Sequence, residues 1–358
     1  MNDDLYKFMI ELLKTPSPSG FEEKVQLLFI DFVRNYIDDI KIDVNGNVIA
    51  HKKGNGRQRI MLISHADEIG LMVKYIDNNG FVYFSEIGAV DTNILQGLQV
   101  EILNKKKTIK GIIGKKPIHL QSEEDNKGNI RVENLWIDIG ATNKAEALES
   151  VRIGDYITFI SDTNILPNKL ISSKSVDNKI GLSVIAGVAQ QLSNTMINCD
   201  LYIVSSVQEE IGLRGATTVT FDLSPNVGIA IDVTHATDYP TISMERNGDI
   251  RLNNGVVIPV GANISAKINE MFIQISEECK IKHQLEAIPN ATGTDANVIQ
   301  ISKSGVATGL LSIPCRYMHT PNGIVSLEDV LSAINLLVEF CKSISDETSF
   351  IPYKIQCK

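Results

Sequence analysis

His65, Asp67, Asp177, Glu209, Glu210, Asp232 and His319 are of the types that bind divalent metals and move protons, and most stand where an apolar run ends. Arg59 to Ile63 runs into Ser64-His65-Ala66-Asp67-Glu68-Ile69-Gly70, Gly228 to Ile231 into Asp232, and Leu310 to Ile313 into Pro314-Cys315-Arg316-Tyr317-Met318-His319. The sharpest signal is the pair Glu209-Glu210, which follows the apolar run Leu201 to Val207 and precedes Ile211-Gly212-Leu213-Arg214-Gly215-Ala216. Neighbouring strand residues point to opposite faces. Two adjacent glutamates therefore serve one site only where the chain leaves the strand, and Gly212 and Gly215 supply freedom to turn.

The chemistry such a set points to is hydrolysis at a pair of metal ions. His65, Asp177, Glu210, Asp232 and His319 are the candidate ligands for two divalent cations about 3.5–4 Å apart, which need a shared carboxylate and terminal ligands on each side. Three carboxylates and a bridging hydroxide balance the charge of two such ions. Oxygen and nitrogen donors without thiolate suit zinc, cobalt or manganese, whereas calcium takes more oxygens. Water held by the ions becomes a nucleophile near neutral pH. Glu209, beside Glu210, is the expected general base, and Asp67, two residues after His65, the expected acceptor of the second imidazole N–H. Singly, each residue has a plainer reading. Asp177 before Asn178 can cap a helix, Asp232 can form a turn, and a lone histidine is commonly a surface or core group, where His51, His119, His235 and His283 are left. The recurrence at strand ends is what argues for a site.

The elements that must hold these residues fall into two textures. The 358 residues allow one large domain or two ordinary ones, and 43% apolar with 22% charged residues is a globular profile. Asp3 or Asp4 can cap a first helix with Leu5, Phe8, Met9 and Leu12 inward. A second runs from about Glu22 to Tyr36, with Val25, Leu28, Phe29, Phe32, Val33 and Tyr36 on its stripe and Glu22 and Glu23 at its positive end. Asn45-Gly46 marks a hairpin. From Gly70 to Ser161 helical periodicity gives way to short β-type runs: 71–76, 81–84, 99–103, 108–113 and 155–160. After Ser161, α/β alternation resumes. Ile180, Val184, Gly187, Val188 and Gln191 share a helical face, strands follow at 201–207, 228–233 and 306–313, and helices at 265–281, after Asp295, and from Leu327. The fold expected is α/β, a largely parallel sheet flanked by helices, built from residues 1–69 and 162–358, with residues 70–161 inserted as a small all-β, barrel-like domain. Ligands bind such sheets beyond the carboxyl ends of the strands.

A net charge of −9 argues against a nucleic-acid partner, and the largest basic run, Lys105-Lys106-Lys107, reads as a solvated edge. No stretch approaches the roughly 20 apolar residues that span a bilayer, and Met1-Asn2-Asp3-Asp4 is acidic where a secretory leader is basic. No membrane partner and a cytoplasmic location are expected. Cys199, Cys279, Cys315, Cys341 and Cys357 are odd in number and widely spaced, which favours neither a disulfide framework nor a thiolate zinc site. Cys315 reads as a small buried side chain.

Over essentially its whole length the chain resembles the tetrahedral aminopeptidase and glutamyl aminopeptidase family of co-catalytic dinuclear metallopeptidases. The resemblance lies in Ser19-Gly20-Phe21-Glu22, His65-Ala66-Asp67-Glu68-Ile69-Gly70, Asp177-Asn178-Lys179-Ile180-Gly181, Gln208 to Ala216, Ile231-Asp232-Val233-Thr234-His235, Gly293-Thr294-Asp295-Ala296 and Pro314 to His319. It implies that Asp177 bridges two divalent ions, zinc or cobalt first and manganese also, with His65 and Asp232 completing one site and Glu210 and His319 the other. It implies Glu209 as the base, Asp67 as the orienter of His65, and peptides with a free N-terminus as substrates. It further implies a dimerisation role for the insertion and dimers that assemble into a hollow dodecamer. The chain departs from the family at Ser64 (commonly Gly), at Lys179 (commonly Arg) and in the loop 245–251 beside the expected substrate path. The expected function is thus a metal-dependent aminopeptidase. Its rivals are a dinuclear-metal amidohydrolase acting on acylated amino acids or other small amides, a metal-free glycosidase with two carboxylates, and a non-enzymatic, metal-stabilised assembly protein.

Overall fold

The computed structural model describes residues 1–104, 107–121 and 130–353. Lys105, Lys106 and Cys357 lie outside the described residues. At the centre are four parallel strands, Cys199–Ser206, Gln58–His65, Val227–His235 and Ala307–Cys315, side by side in that order. Their runs of Val, Ile and Leu suit strands covered on both faces. Side chains alternate between two cores: Ile60 and Leu62 face one layer of helices, Met61 and Ile63 the other. The Asp39–Ile42 and Val48–Lys52 hairpin extends one edge antiparallel. On the other edge lie Val256–Gly261 and His283–Ile288, two strands that the periodicity leaves unmarked. The first is interrupted by Pro259, and the second is a polar outer strand with Leu285 exposed.

Five helices cover the first face: Asp3–Lys14, Glu23–Val33, Val176–Leu192, Ala266–Glu278 and Leu327–Ser343. Asn2 caps the first of these, its side chain accepting from the Leu5 amide at 3.0 Å. Asp3 and Asp4 instead occupy the first turn, where the helix dipole favours acids. In the second helix Leu28, Phe32 and Tyr36 pack half-buried on the core as the stripe implies, and Gln26 and Ile30 are buried beside them, Gln26 reaching the carbonyls of Gly46 and Ser205, both at 3.0 Å. Glu22 stands at the N-cap position of this helix, its carbonyl accepting from the Gln26 amide at 3.0 Å. The Val176–Leu192 helix is buried on nearly all sides; Gln191 is exposed, not inward. The shorter helices Arg214–Leu223 and Ala296–Gln300 cover the opposite face.

Between Gly70 and Phe159 the chain closes a barrel of antiparallel strands: Gly70–Ile76, Val82–Ile87, Gln99–Leu103, Thr108–Gly114, Trp136–Asp138 and Tyr156–Phe159. Leu71, Val73, Ile102, Ile137 and Ile157 fill it. Trp136–Asp138 is too short to show alternation, and the small helix Lys144–Leu148, capped by Asn143, also escapes the sequence pattern. A further small sheet, Asn164–Leu166, Leu170–Ser173 and Gly323–Ser326, carries the chain towards Asp177 and away from His319. Among the described residues no helix is long and apolar enough to cross a membrane, and the described cysteines are free, with Cys315 buried as expected.

One buried cluster stitches these parts together. Glu68 Oε1 accepts hydrogen bonds from the Ser17 amide, Thr158 Oγ1 of the barrel and Lys174 Nζ, each at 3.0 Å. Glu68 Oε2 accepts from Lys174 Nζ and Lys179 Nζ, also at 3.0 Å, and Lys179 Nζ donates in turn to the Thr15 carbonyl. Burial alone would raise the Glu68 carboxyl, but the two ammonium groups outweigh it and hold its pKa down at about 2. Glu68→Gln leaves Lys174 and Lys179 without their carboxylate; burial already lowers the Lys179 pKa to about 7, so that ammonium gives up its proton instead, and the loss should be about 1–3 kcal/mol in urea unfolding. A carboxyl lowered from 4.5 to about 2 contributes stability that is present above the unfolded value and lost as pH falls through the folded one. The gap between wild type and Glu68→Gln should therefore narrow as pH drops below 4.5; a gap independent of pH would contradict the ion-pair account.

Candidate metal centre

Because the central strands are parallel, their carboxyl ends open on one side, and the acidic and imidazole side chains gather there. His65 closes its strand opposite Ser206, in register with the neighbouring strand. Asp232 lies in Val227–His235 opposite Ser312. Beyond Ser206 the chain turns sharply. Gln208 and Leu213 take the left-handed conformation, with φ of 57° and 56°, and Gly212 has φ 117°. Gly215 acts differently from the expectation. Its φ is not positive, but a Cβ there would lie 2.3 Å from Asn47 Oδ1 and 2.5 Å from the Val207 carbonyl, so the turn packs directly on the strand. Asp177 stands at the start of the long buried helix, before a cis peptide bond to Asn178, whose Nδ2 ties it to the Ile231 carbonyl at 2.7 Å. Ser64 Oγ donates to the Asn178 carbonyl at 3.3 Å.

The sequence-predicted residues come together. Asp177 Oδ1 is 3.2 Å from His65 Nε2, and Asp177 Oδ2 is 3.3 Å from His319 Nε2. Around His65 stand Asp232 Oδ1 at 3.8 Å and Glu209 Oε2 at 3.9 Å. Beside His319 is Glu210 Oε2 at 3.7 Å. Both imidazoles are held from behind by carbonyls: His65 Nδ1 is 3.1 Å from the Asp67 carbonyl and His319 Nδ1 is 2.9 Å from the Ala89 carbonyl. A carbonyl only accepts, so each neutral ring carries its proton on Nδ1 and presents the Nε2 lone pair to the cluster. The Asp67 carboxylate is farther from the ring, at 3.4 Å. Its shorter bonds are to the amides of Glu209, at 2.9 Å, and Glu210, at 3.1 Å. Asp67 thus orders the glutamate turn as well as standing near His65.

Electrostatically the cluster holds more acid than its own cations neutralise. Burial, with Asp232, Asp295 and Glu210 nearby, pushes the Glu209 carboxyl far above normal against the pull of His65. Burial raises Glu210 and Asp232 too. Asp177 goes down, because its hydrogen bonds to the two histidines outweigh burial. His65 goes up despite burial, because Glu209, Asp177, Asp232 and Asp67 surround it, and His319 is raised to about 9 chiefly by Asp177. Glu210 Oε1 is buried with no protein hydrogen-bond partner. Two groups of side chains, His65/Glu209/Asp232 and Asp177/Glu210/His319, each converge closely enough to share a cation. Surplus buried carboxylates, an unpaired carboxylate oxygen, two lone pairs aimed inward and no thiolate fit a pair of divalent cations.

Sequence reasoning gave no role to three contributors. Asp295, buried and bonded by Ser206 Oγ at 2.8 Å, backs the cluster, and burial lifts its pKa to about 7; its tetrapeptide was marked by resemblance alone. Ala89 comes from the barrel and is chemically silent in sequence. Glu22 reaches the Gln208 amide at 3.3 Å. The cleft in front of the cluster has a volume of about 390 Å³, and residues 245–251 are not among its described lining.

Buried imidazoles and carboxylates at the open end of a parallel sheet are the make-up of a metal-dependent hydrolase. A family model described as M42 glutamyl aminopeptidase matches residues 46–336, and the chain belongs to that family of metallopeptidases. It is 37% identical over 337 residues to a lysyl aminopeptidase of Pyrococcus furiosus, covering 92% of this chain and 95% of that one. It is similar to an aminopeptidase structure from Desulfurococcus kamchatkensis, with 33% identity, a TM-score of 0.90 and 96% of each chain covered. It is also similar to the Pyrococcus horikoshii TET1 peptidase, with 29% identity, a TM-score of 0.85 and coverage of 95% of this chain and 100% of that one. The chain is a peptide hydrolase of the aminopeptidase kind. Metal-stripped protein titrated with zinc should take up two equivalents by calorimetry, and Asp177→Ala should lose tight binding of both. Two tightly bound equivalents in that variant would remove Asp177 from the shared position.

Proposed function

We propose that this chain removes N-terminal residues from peptides at a pair of divalent ions, zinc or cobalt in the first place and manganese also. His65 and Asp232 would hold one ion, Glu210 and His319 the other, and Asp177 would serve both. The observation that carries this reading is Asp177, whose two oxygens face the Nε2 atoms of the two histidines at 3.2 and 3.3 Å. Two ions held there would acidify a water molecule and polarise the scissile carbonyl.

The side chains do the rest. Glu209 takes a proton from the attacking water and hands it to the departing amine. Its Oε2 stands 3.9 Å from His65 Nε2, at the edge of the cluster, where it can reach water held there. The neighbouring carboxylates receive the substrate's free α-ammonium. Leu213, Val233 and Met318 with Thr292, Thr294 and Asn297 give the rest of the cleft an uncharged lining, which suits an uncharged first side chain. Glu209→Gln should keep both metals and lose about 100- to 10,000-fold in kcat. Among aminoacyl p-nitroanilides, leucine and methionine should be cleaved faster than glutamate, and N-acetylated peptides should not be cut. Near-normal turnover by Glu209→Gln would sink the base assignment, and a glutamate preference the lining argument.

We assign self-association to residues 70–161. The barrel exposes Ile112, Ile118, Leu120 and Ile153, each more than half exposed, and apolar surface of this kind favours a protein partner. The Pyrococcus horikoshii relative is described as forming a tetrahedron or a large octahedral shell, and a dimer or a dodecamer of this chain follows the same pattern. Free thiols suit a reducing compartment, the cytoplasm. Ile118→Asp with Leu120→Asp should lower the mass measured by light scattering; an unchanged mass would place the contact elsewhere.

A further inference from the structure

The segment Ser19-Gly20-Phe21-Glu22 lies far from the cluster in sequence and supplies none of its imidazoles or carboxylates. It runs alongside residues 66–68. Pro18 and Glu68 pair as a parallel bridge, the Ser19 amide donates to the Glu68 carbonyl at 3.3 Å, and Ser17 Oγ donates to the Ala66 carbonyl at 2.7 Å. Gly20 is required twice over. Its φ is 93°, and a Cβ would stand 2.6 Å from the Tyr156 hydroxyl of the barrel. This backbone sends the side chains on either side of it to the glutamate turn. Ser19 Oγ donates to Asp67 Oδ2 at 2.6 Å, and the two oxygens of Asp67 accept the amides of Glu209 and Glu210. Glu22 Oε1 accepts from the Gly20 amide at 2.8 Å and the Gln208 amide at 3.3 Å.

We propose that Ser19 and Glu22 are positioning residues that clamp the turn carrying Glu209, Ser19 through the Asp67 carboxylate and Glu22 through the Gln208 amide. The inference rests on the role given to Glu209 above. Three successive amides, those of Gln208, Glu209 and Glu210, are tied to carboxylates, and both carboxylates are themselves held by the N-terminal segment. The turn needs such holding. Gln208 sits at φ 57°, a left-handed conformation that a non-glycine residue takes only at a cost. Glu22 is itself an expensive side chain to bury. It is 6% exposed, it accepts from the main-chain amides of Gly20 and Gln208, and burial lifts its pKa to about 7. A carboxyl kept in such a place for the sake of one loop marks that loop as worth fixing.

Ser19→Ala and Glu22→Ala should each lower kcat about 10- to 100-fold, the range for outer supports of a metal site, with KM and bound metal close to wild type. Glu22→Gln should restore most of the loss, because one oxygen accepts both bonds. In metal-free protein, deuterium uptake at the amides of 208–210 should rise in both alanine variants while the central strands stay protected. In a Glu209→Gln background neither substitution should lower the residual rate further. Unchanged kcat and unchanged exchange in the alanine variants would overturn the clamp. So would a loss of kcat that tracks lost metal and returns with excess metal, or full additivity with Glu209→Gln. A dead Glu209→Gln enzyme beside normal alanine variants sinks only the clamp; a near-normal Glu209→Gln sinks the base assignment and the clamp with it.

Discussion

The bonds of Glu68 to Lys174 and Lys179 are the constraint on which the other arrangements rest. One buried carboxylate receives the N-terminal segment at Ser17, the barrel at Thr158 and, through the lysines, the approach to Asp177. These segments are distant in sequence and belong to different layers. Exposed ion pairs contribute little, but inside a protein an unmatched charge is costly enough to enforce geometry. The next residue towards the N-terminus is Asp67, so the anchor and the glutamate turn share one short stretch of chain. Lys179 is fully buried and meets both Glu68 and the Thr15 carbonyl.

The cluster shows why the sheet must be parallel at its centre. Residues ending neighbouring parallel strands stand together, so His65, the turn after Ser206, Asp232 and the segment after Cys315 converge without long loops. The resulting crowd of acids is unfavourable in itself: Glu209, Glu210, Asp232 and Asp295 all hold protons more tightly than free carboxylates do. Cations entering there relieve the repulsion that folding built up, and metal binding then adds to stability as well as to chemistry.

Much of this was legible in the sequence. Buried strands with hydrophobic residues on both faces announce themselves, and the abrupt change from apolar to acidic at Val207 to Glu210 marks a strand end whatever follows it. The alternating texture of 70–161 gave the small β unit. What stayed hidden depends on contacts rather than composition. Trp136–Asp138 is a strand only because Val82 and Ile113 flank it. Gly215 is a contact point rather than a hinge, which its residue type alone does not tell. Asp67 stands by the imidazole as its spacing from His65 suggests, but its bonds to two amides of a turn, 142 and 143 residues away, carry no mark in the sequence. Ala89 acts through its carbonyl, which every residue type has, so no pattern could single it out.

That carbonyl has a consequence for how the insertion can be regarded. Ala89 fixes the tautomer of His319, and at Gly88, with φ 74°, a Cβ would press on Ile69 and on Glu210. The barrel therefore forms part of the wall of the centre itself. Removing residues 70–161 would take away the carbonyl behind His319 along with the barrel, so the insertion and the cluster share one boundary.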